Sequence, residues 1–219
     1  MAQAIVITPV KDSLETTKTT IDAVTKSDVD VEYYIFNDFS QPETKKYLDD
    51  AKEMRGFQVV QMAQSKAIAH GVPLIIIESD VIVKPNTISQ LLQVARTKKD
   101  AGMIAAITVD CDGNYNFPYL YEKRKSNETK ITTHSLSFCC TLITNRYLNR
   151  LDFKSLSPNK DWYDVFISKQ SRKLGFKNYL SKGNEVIHLP HSSRPWKNLK
   201  YSNPILYYLK KLFLNRDRI

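Results

Sequence analysis

Pro73-Leu74-Ile75-Ile76-Ile77-Glu78-Ser79-Asp80-Val81-Ile82-Val83-Lys84 runs from a short apolar stretch through two carboxylates into the start of a helix. Leu74 to Ile77 is too short for a helix and rich in β-branched residues, so it reads as a strand buried on both faces. Pro85-Asn86-Thr87 opens a helix, with Ile88, Leu91, Leu92 and Ala95 at helical spacing and a basic last turn. Glu78 to Lys84 is therefore a strand-to-helix loop. In open α/β sheets, ligands bind at the carboxyl ends of such strands.

Glu78 and Asp80 stand two positions apart, so in an extended chain both acids point to the same side. Hard divalent cations such as Mg²⁺ or Mn²⁺ prefer carboxylate oxygens, and a cation there would neutralise a diphosphate leaving group. The same two acids would also serve to cap the following helix. The triplet alone does not choose between these roles.

Outward from this loop, the first half alternates short apolar strands with helical segments, the pattern of a mostly parallel sheet flanked by helices. Strands are predicted at Ala4–Thr8, Val31–Phe36, Phe57–Gln61, Pro73–Ile77 and Met103–Val109. Ser40-Gln41-Pro42-Glu43 has capping-box spacing with proline in the first turn. It predicts a helix whose Tyr47, Leu48, Ala51 and Met54 share a face and which Gly56 closes. The second half is less regular, with a polar stretch from Asp110 to Thr133, a strand at Ser137–Thr144 and a helix from about Asp161 to Leu174, ended by Gly175. Pro204 to Asn215 places Ile205, Leu209, Leu212 and Phe213 on one side of a helix and Lys210, Lys211 and Arg216 toward the other.

A chain of 219 residues fits one domain with a sizeable core. Its three cysteines, Cys111, Cys139 and Cys140, show no C-x-x-C spacing, which argues against a disulfide framework or a structural zinc site and reads as reduced core residues. Met1 leads directly into a strand with no signal-peptide pattern, and no apolar run approaches the roughly 18 residues of a membrane span. The expected location is cytoplasmic. Between Arg194 and Ile219, seven basic residues stand against Asp217, so this segment carries +6 of the net charge of +9. Basic residues beside an amphipathic segment suit an anionic membrane surface, whereas a nucleic-acid interface calls for basic residues spread among aromatics over one face. No nucleic-acid partner is therefore expected, and the tail's helix would either lie on the inner face of a membrane or pack on the domain. Neither G-x-x-x-x-G-K-[ST] nor G-x-G-x-x-G occurs, which excludes P-loop and ordinary dinucleotide-binding readings.

Six segments follow one another in the chain: Ile5-Val6-Ile7-Thr8-Pro9-Val10, Tyr34-Ile35-Phe36-Asn37-Asp38-Phe39-Ser40, Gln64-Ser65-Lys66-Ala67-Ile68-Ala69-His70-Gly71, Glu78-Ser79-Asp80-Val81, Trp162-Tyr163-Asp164-Val165-Phe166-Ile167 and Glu185-Val186-Ile187-His188-Leu189-Pro190-His191. Taken in order, they resemble glycosyltransferase family 2, a group of inverting enzymes with the GT-A fold. Asn37 and Phe39 stand where the family usually has aspartate and glycine, Glu78 is a methylene longer than the usual aspartate, and Tyr163 replaces a glutamate.

The resemblance implies a single GT-A domain over residues 1–193, with a nucleotide-sugar half at 1–109, an acceptor half at 110–193 and a basic amphipathic tail at 194–219. Thr8, Pro9, Asp38, Lys66, Glu78 and Ser79 would contact the nucleotide. Asp80 and His188, a better match than His191, would hold Mn²⁺ or Mg²⁺. Asp164, with Asp161 as the fallback, would be the catalytic base, and Trp162 and Tyr163 would meet the acceptor. The implied reaction moves a sugar from a nucleotide-diphosphate sugar, chiefly a UDP-sugar, to a saccharide or lipid-linked saccharide, as in assembly of bacterial surface polysaccharide or lipopolysaccharide. A sugar nucleotidyltransferase and an inactive nucleotide-binding relative are the other readings.

Overall fold

The computed structural model describes residues 2–123, 126–156, 163–189 and 203–213. The first half alternates as its sequence implies. Strand β1 (Ile5–Val10) leads to helix α1 (Leu14–Thr25), β2 (Glu32–Asn37) to α2 (Pro42–Tyr47), and β3 (Lys52–Glu53) to α3 (Phe57–His70). Then come β4 (Leu74–Ile77), the two-residue β5 (Val81–Ile82), α4 (Thr87–Thr97) and β6 (Ala101–Val109). The second half contributes β7 (Thr129–Thr132), β8 (Cys140–Ile143), the short α5 (Asn145–Leu148), α6 (Tyr163–Lys173), β9 (Lys177–His188) and α7 (Pro204–Phe213).

The nine strands among the described residues form one sheet in the order β3-β2-β1-β4-β8-β6-β9-β5, with β7 also paired to β9. Strand β1 lies parallel between β2 and β4, in the registers Ile5 to Glu32 and Ile5 to Leu74. The sheet is more mixed than the alternating pattern implies, because β8 runs antiparallel to both β4 and β6, and β5 and β7 run antiparallel to β9. Reversal of β8 has a functional consequence: its amino end reaches the same edge of the sheet as the carboxyl ends of β1, β2, β4 and β9.

Alternation along the strands divides the core into two layers. Ile5, Ile7, Leu74 and Ile76 pack with Val59, Val60, Ala63 and Ala67 of α3. Val6, Ile75 and Ile77 pack with Ile88, Leu91 and Leu92 of α4 on the other face. The side-chain period of two in the strands and of 3.6 in the helices produces this two-sided burial.

The stretch Phe57–Gln61, expected as a strand, is instead the first turns of α3. Its buried Val59, Val60, Ala63 and Ala67 follow helical spacing, which five residues alone cannot distinguish from an apolar strand. The helix from Pro42 accordingly stops at Tyr47, and Gly56 starts a helix instead of closing one, with φ of +69° just before Phe57. The carbonyl of Asn37 accepts from the Met54 amide at 3.0 Å, which fixes this turn beside the end of β2.

Strand β9 is twelve residues long, although only its last part reads as a strand in the sequence. Its middle is polar, and its register with β6 jumps from Ala106–Ser181 to Ile107–Glu185, leaving Lys182, Gly183 and Asn184 as a bulge. The buried polar groups find partners: Asn178 Nδ2 donates to the Ser168 carbonyl at 2.9 Å, Asn184 Nδ2 to the Thr87 carbonyl at 3.0 Å, and Lys182 Nζ to the Lys123 carbonyl at 2.6 Å. All three cysteines are free, but Cys111 is exposed and so is not the core residue expected. Among the described residues, no helix is long and apolar enough to cross a membrane.

Candidate active site

The edge where β1, β2, β4 and β9 end collects the acids singled out by sequence. Backbone pairing of Glu78 N to the Cys139 carbonyl at 3.1 Å carries the β4–β8 ladder one residue beyond Ile77. The chain then turns at Ser79 and Asp80, closed by Val81 N donating to the Glu78 carbonyl at 3.2 Å, and enters β5. Contrary to the expectation of an extended chain, the two acids therefore do not project from one strand. They converge through a turn.

The pairing of β5 with β9 does the assembling. Val81 lies opposite His188, and Leu189 N donates to the Asp80 carbonyl at 2.8 Å, so Asp80 and His188 become neighbours. His188 Nδ1 is 2.8 Å from the Phe117 carbonyl, which only accepts, so Nδ1 carries a proton. Asn116 Nδ2 donates to the His188 carbonyl at 2.9 Å and fixes the backbone below the ring. In the neutral ring, Nε2 then presents a lone pair to Asp80 Oδ2, 3.2 Å away. Two acceptors in contact need a cation between them or a proton on the nitrogen. Burial works against the charged imidazole, but the hydrogen bond and charge of Asp80, the Glu78 charge and the Phe117 carbonyl outweigh it and raise the His188 pKa.

Glu78 approaches His188 from the strand end. One carboxylate oxygen of Glu78, Cys139 Sγ and a ring nitrogen of His188 all lie within 4.8 Å of one another. Cys139 Sγ is buried, donates to Glu78 Oε2 at 3.3 Å and lies 3.4 Å from Ser137 Oγ. Burial, with the nearby Glu78 and Asp80 charges, pushes the Cys139 thiol well above its ordinary pKa, so in the cation-free protein it is a neutral donor. Cys139 was legible in the sequence only as a core residue, because only strand pairing places it across from Glu78.

Asp38 lies at the end of β2 between two cations, with Arg55 Nε 3.2 Å from Oδ1 and Lys11 Nζ 3.9 Å from Oδ2. The loops after β1 and β2 are laced together: Asp12 N donates to Ser40 Oγ at 3.0 Å, Gln41 N to Asp12 Oδ1 at 2.8 Å and Ser40 N to Asn37 Oδ1 at 2.9 Å. Phe39 sits at φ of +53°, a left-handed conformation natural to glycine, and the Arg55 guanidinium lies 4.5 Å from its ring centre. Arg55 and Lys11 were not singled out by sequence, since a lone basic residue in a loop carries no pattern.

Other expected nucleotide contacts fare differently. Pro9 sits near the end of β1 opposite Phe36, and Ser79 is half-buried in the turn between the two acids. Thr8 reaches the same edge of the sheet, but its side chain is fully buried and its Oγ1 accepts from the Tyr33 hydroxyl at 2.9 Å. Lys66 lies in the later turns of α3, 2.9 Å from the Tyr34 hydroxyl, which in turn donates to Glu32. Since Glu32 begins β2, this cluster is at the far side of the sheet from the acids. The structure does not bring Lys66 to the site.

Asp164 is in the first turn of α6, and its Oδ1 accepts from Val165 N at 2.8 Å. Its charge acts on Tyr119, a fully buried residue whose hydroxyl accepts from Ser137 N at 3.3 Å, two residues before Cys139. Burial, above all, raises the Tyr119 pKa well beyond its usual value and keeps it neutral. Tyr163 packs partly buried against the α3 layer. Its hydroxyl would lie 3.5 Å from a side chain placed on Gly56, so it closes on the α3 start. Asp161, Trp162 and His191 lie outside the described residues.

The fold agrees with that of known proteins. The family Glycosyl transferase family 2 matches residues 5–152. Comparison with curated proteins gave no match. Among solved structures, GalNAc-T7 with UDP, GalNAc and Mn²⁺ is 14% identical with a TM-score of 0.64, covering 88% of this chain and 45% of that one. The mannosyltransferase PcManGT from Pyrobaculum calidifontis, in complex with GDP-Man and Mn²⁺, is 11% identical with a TM-score of 0.65 over 96% of this chain and 64% of its own. Residues 1–349 of S. aureus TarS are 13% identical with a TM-score of 0.64 over 100% of this chain and 67% of that one. The chain thus spans between 45% and 67% of these structures' lengths, and at such identities the likeness is one of fold. With the family match covering most of the chain, from β1 to just past α5, the chain belongs to glycosyl transferase family 2.

Proposed function

We propose that this chain is a divalent-metal-dependent glycosyltransferase that moves a sugar from a nucleotide-diphosphate sugar, a UDP-sugar, to an acceptor hydroxyl with inversion. The observation that carries the reading is the contact of His188 Nε2 with Asp80 Oδ2, with the ring's other nitrogen committed to the Phe117 carbonyl. A metal-ligating histidine is typically held this way, its second nitrogen donating to a carbonyl. Asp80, His188 and Glu78 would hold the ion, and imidazole among the donors favours Mn²⁺ over Mg²⁺.

When bound, the cation neutralises the diphosphate leaving group. The chain's own residues supply the rest. Asp38 at the end of β2, with Lys11 and Arg55 around it, contacts the nucleoside. Pro9, Ser79 and the backbone of Thr8 line the same edge. Asp164 accepts the proton of the acceptor hydroxyl as its oxygen attacks the anomeric carbon opposite the departing diphosphate. Tyr163, with Trp162 beside it in the sequence, would meet the acceptor.

The acceptor is a saccharide or lipid-linked saccharide of bacterial surface-polysaccharide assembly, and α7 brings the domain to a membrane face from the cytoplasmic side. Ile205, Leu206, Tyr208 and Leu209 of that helix are exposed, in support of a surface helix that meets lipid.

The test is thermal stabilisation of the full chain by a set of nucleotide-sugars, with and without Mn²⁺, followed by transfer assays. Stabilisation by one donor that requires Mn²⁺ is expected. Absence of binding by every donor, or binding indifferent to metal and to Asp80→Ala, overturns the proposal.

A further inference from the structure

Cys139 lies where neither the two-carboxylate motif nor the family resemblance puts a functional group. It belongs to the end of the sheet that the reversal of β8 brings to the site, and it is 1% exposed. Its sulfur meets Glu78 Oε2 at 3.3 Å, and with a His188 nitrogen the three donor atoms fall within 4.8 Å of one another. The adjacent Cys140, also buried, pairs with Ile77 in the ladder and has no place in that group. An oxygen, a sulfur and a nitrogen gathered this closely form a mixed donor set that small side-chain movements bring onto one ion. Such a set differs from the all-oxygen surroundings that suit Mg²⁺, because thiolate is a soft ligand.

We propose that Cys139, as thiolate, is a direct ligand of the cation held by Glu78, Asp80 and His188, and that the site therefore selects thiophilic divalent cations, Zn²⁺, Co²⁺ and Cd²⁺, over Mg²⁺. The inference rests on the metal site proposed above. As the sulfur–metal contact forms, the S–H proton passes to solvent, Glu78 remains a carboxylate, and nothing is oxidised or reduced. A bound Zn²⁺ occupies the position that Mn²⁺ would take, so the two compete.

Titration of the full chain with Co²⁺, followed by absorption, tests this. Wild type and Cys140→Ser are expected to show both the visible bands of bound cobalt and a near-ultraviolet thiolate-to-cobalt charge-transfer band. Cys139→Ser is expected to keep the visible bands, lose the charge-transfer band and bind Zn²⁺ more weakly by roughly tenfold or more, at least the cost of losing an outer-shell partner. Cobalt bound without the charge-transfer band, or a band that survives in Cys139→Ser, overturns the role of Cys139 and leaves the metal site standing. Failure of wild type to bind Co²⁺, Zn²⁺ or Mn²⁺ at all removes the metal site itself and this inference with it. Should Cys139→Ser fail to fold by circular dichroism, the ¹¹³Cd resonance of the wild-type complex decides directly. A strongly downfield shift marks sulfur ligation, and a shift in the range of nitrogen and oxygen ligands overturns it.

Discussion

His188 Nε2 lies 3.2 Å from Asp80 Oδ2, although 108 residues separate the two in sequence. The antiparallel pairing of two-residue β5 with the end of β9 creates the contact, and the Phe117 carbonyl sets which nitrogen faces the acid. Replacing either partner leaves the strands in place and removes one donor. Asp80→Asn and His188→Gln are each expected to weaken Mn²⁺ affinity by roughly tenfold or more while leaving the far-ultraviolet circular dichroism unchanged. Calorimetric titration with Mn²⁺ measures this, and unchanged affinity in both variants sinks the assignment.

Asp164→Asn separates binding from chemistry. The amide keeps the size of the group and its acceptor oxygen for Val165 N but cannot take up a proton at neutral pH. Donor affinity should stay within about twofold, and transfer should fall by roughly 10² or more, the usual contribution of a positioned base. Undiminished transfer would move the base elsewhere, Asp161 first.

Gln64 ties α3 to the second half of the chain. Buried, it donates from Nε2 to the carbonyls of Leu148 at 2.7 Å and Leu151 at 2.9 Å. Gln64→Leu leaves both carbonyls without this donor, at an expected loss of about 2 to 3 kcal/mol in urea unfolding. A loss under about 0.5 kcal/mol would mean that other donors replace the amide.

Much of this was readable in advance, and the failures have physical causes. Strands β1, β2, β4 and β6 announce themselves as short β-branched runs, and the loop after β4 was placed correctly. Phe57–Gln61 was misread because its apolar residues fit both periods, and the helix shows only when Ala63 and Ala67 are counted with it. Strand β9 hides because buried Asn178, Ser181, Lys182 and Asn184 break the apolar alternation, their cost being offset by hydrogen bonds that no local pattern reveals. Of the site, the acids and His188 were visible as residue types in order. Cys139, Arg55 and Phe117 enter only through pairing between distant segments. Lys66 failed for the converse reason: its segment matches a family pattern, but the helix it forms turns it to the remote side of the sheet.

Gly102 is required by packing. A β-carbon there would meet Ser171 Oγ and come within 2.8 Å of Phe176 Cβ, where α6 turns into β9. Gly102→Ala is expected to cost about 1 to 3 kcal/mol, the usual range for overpacking, read as a lowered unfolding midpoint. An unchanged midpoint would show that this turn yields without strain.

Asp100 supplies a pH signature away from the site. Hydrogen bonding to Lys177, then to the Tyr179 hydroxyl, lowers its pKa below the ordinary carboxylate value. A depressed folded pKa means that its stabilisation is complete above the unfolded value near 4 and disappears as the pH falls through the folded one. The group is well exposed, so the effect is small. Wild type should melt slightly above Asp100→Asn at pH 6, with the two curves converging as the pH falls through the folded pKa of Asp100. A constant difference across that range would contradict the assignment.

Strand β9 begins at Lys177, beyond the last residue of the family match, yet it is an interior strand, flanked by β6 on one side and by β7 and β5 on the other. A fragment trimmed to the matched residues would leave β6, whose nine residues are all buried, with a long bare margin of unpaired amides and carbonyls. Such a margin is a template on which further chains add strand by strand. Strand β9 therefore seals the sheet against self-assembly, and a fragment trimmed to residues 5–152 is expected to associate edge to edge.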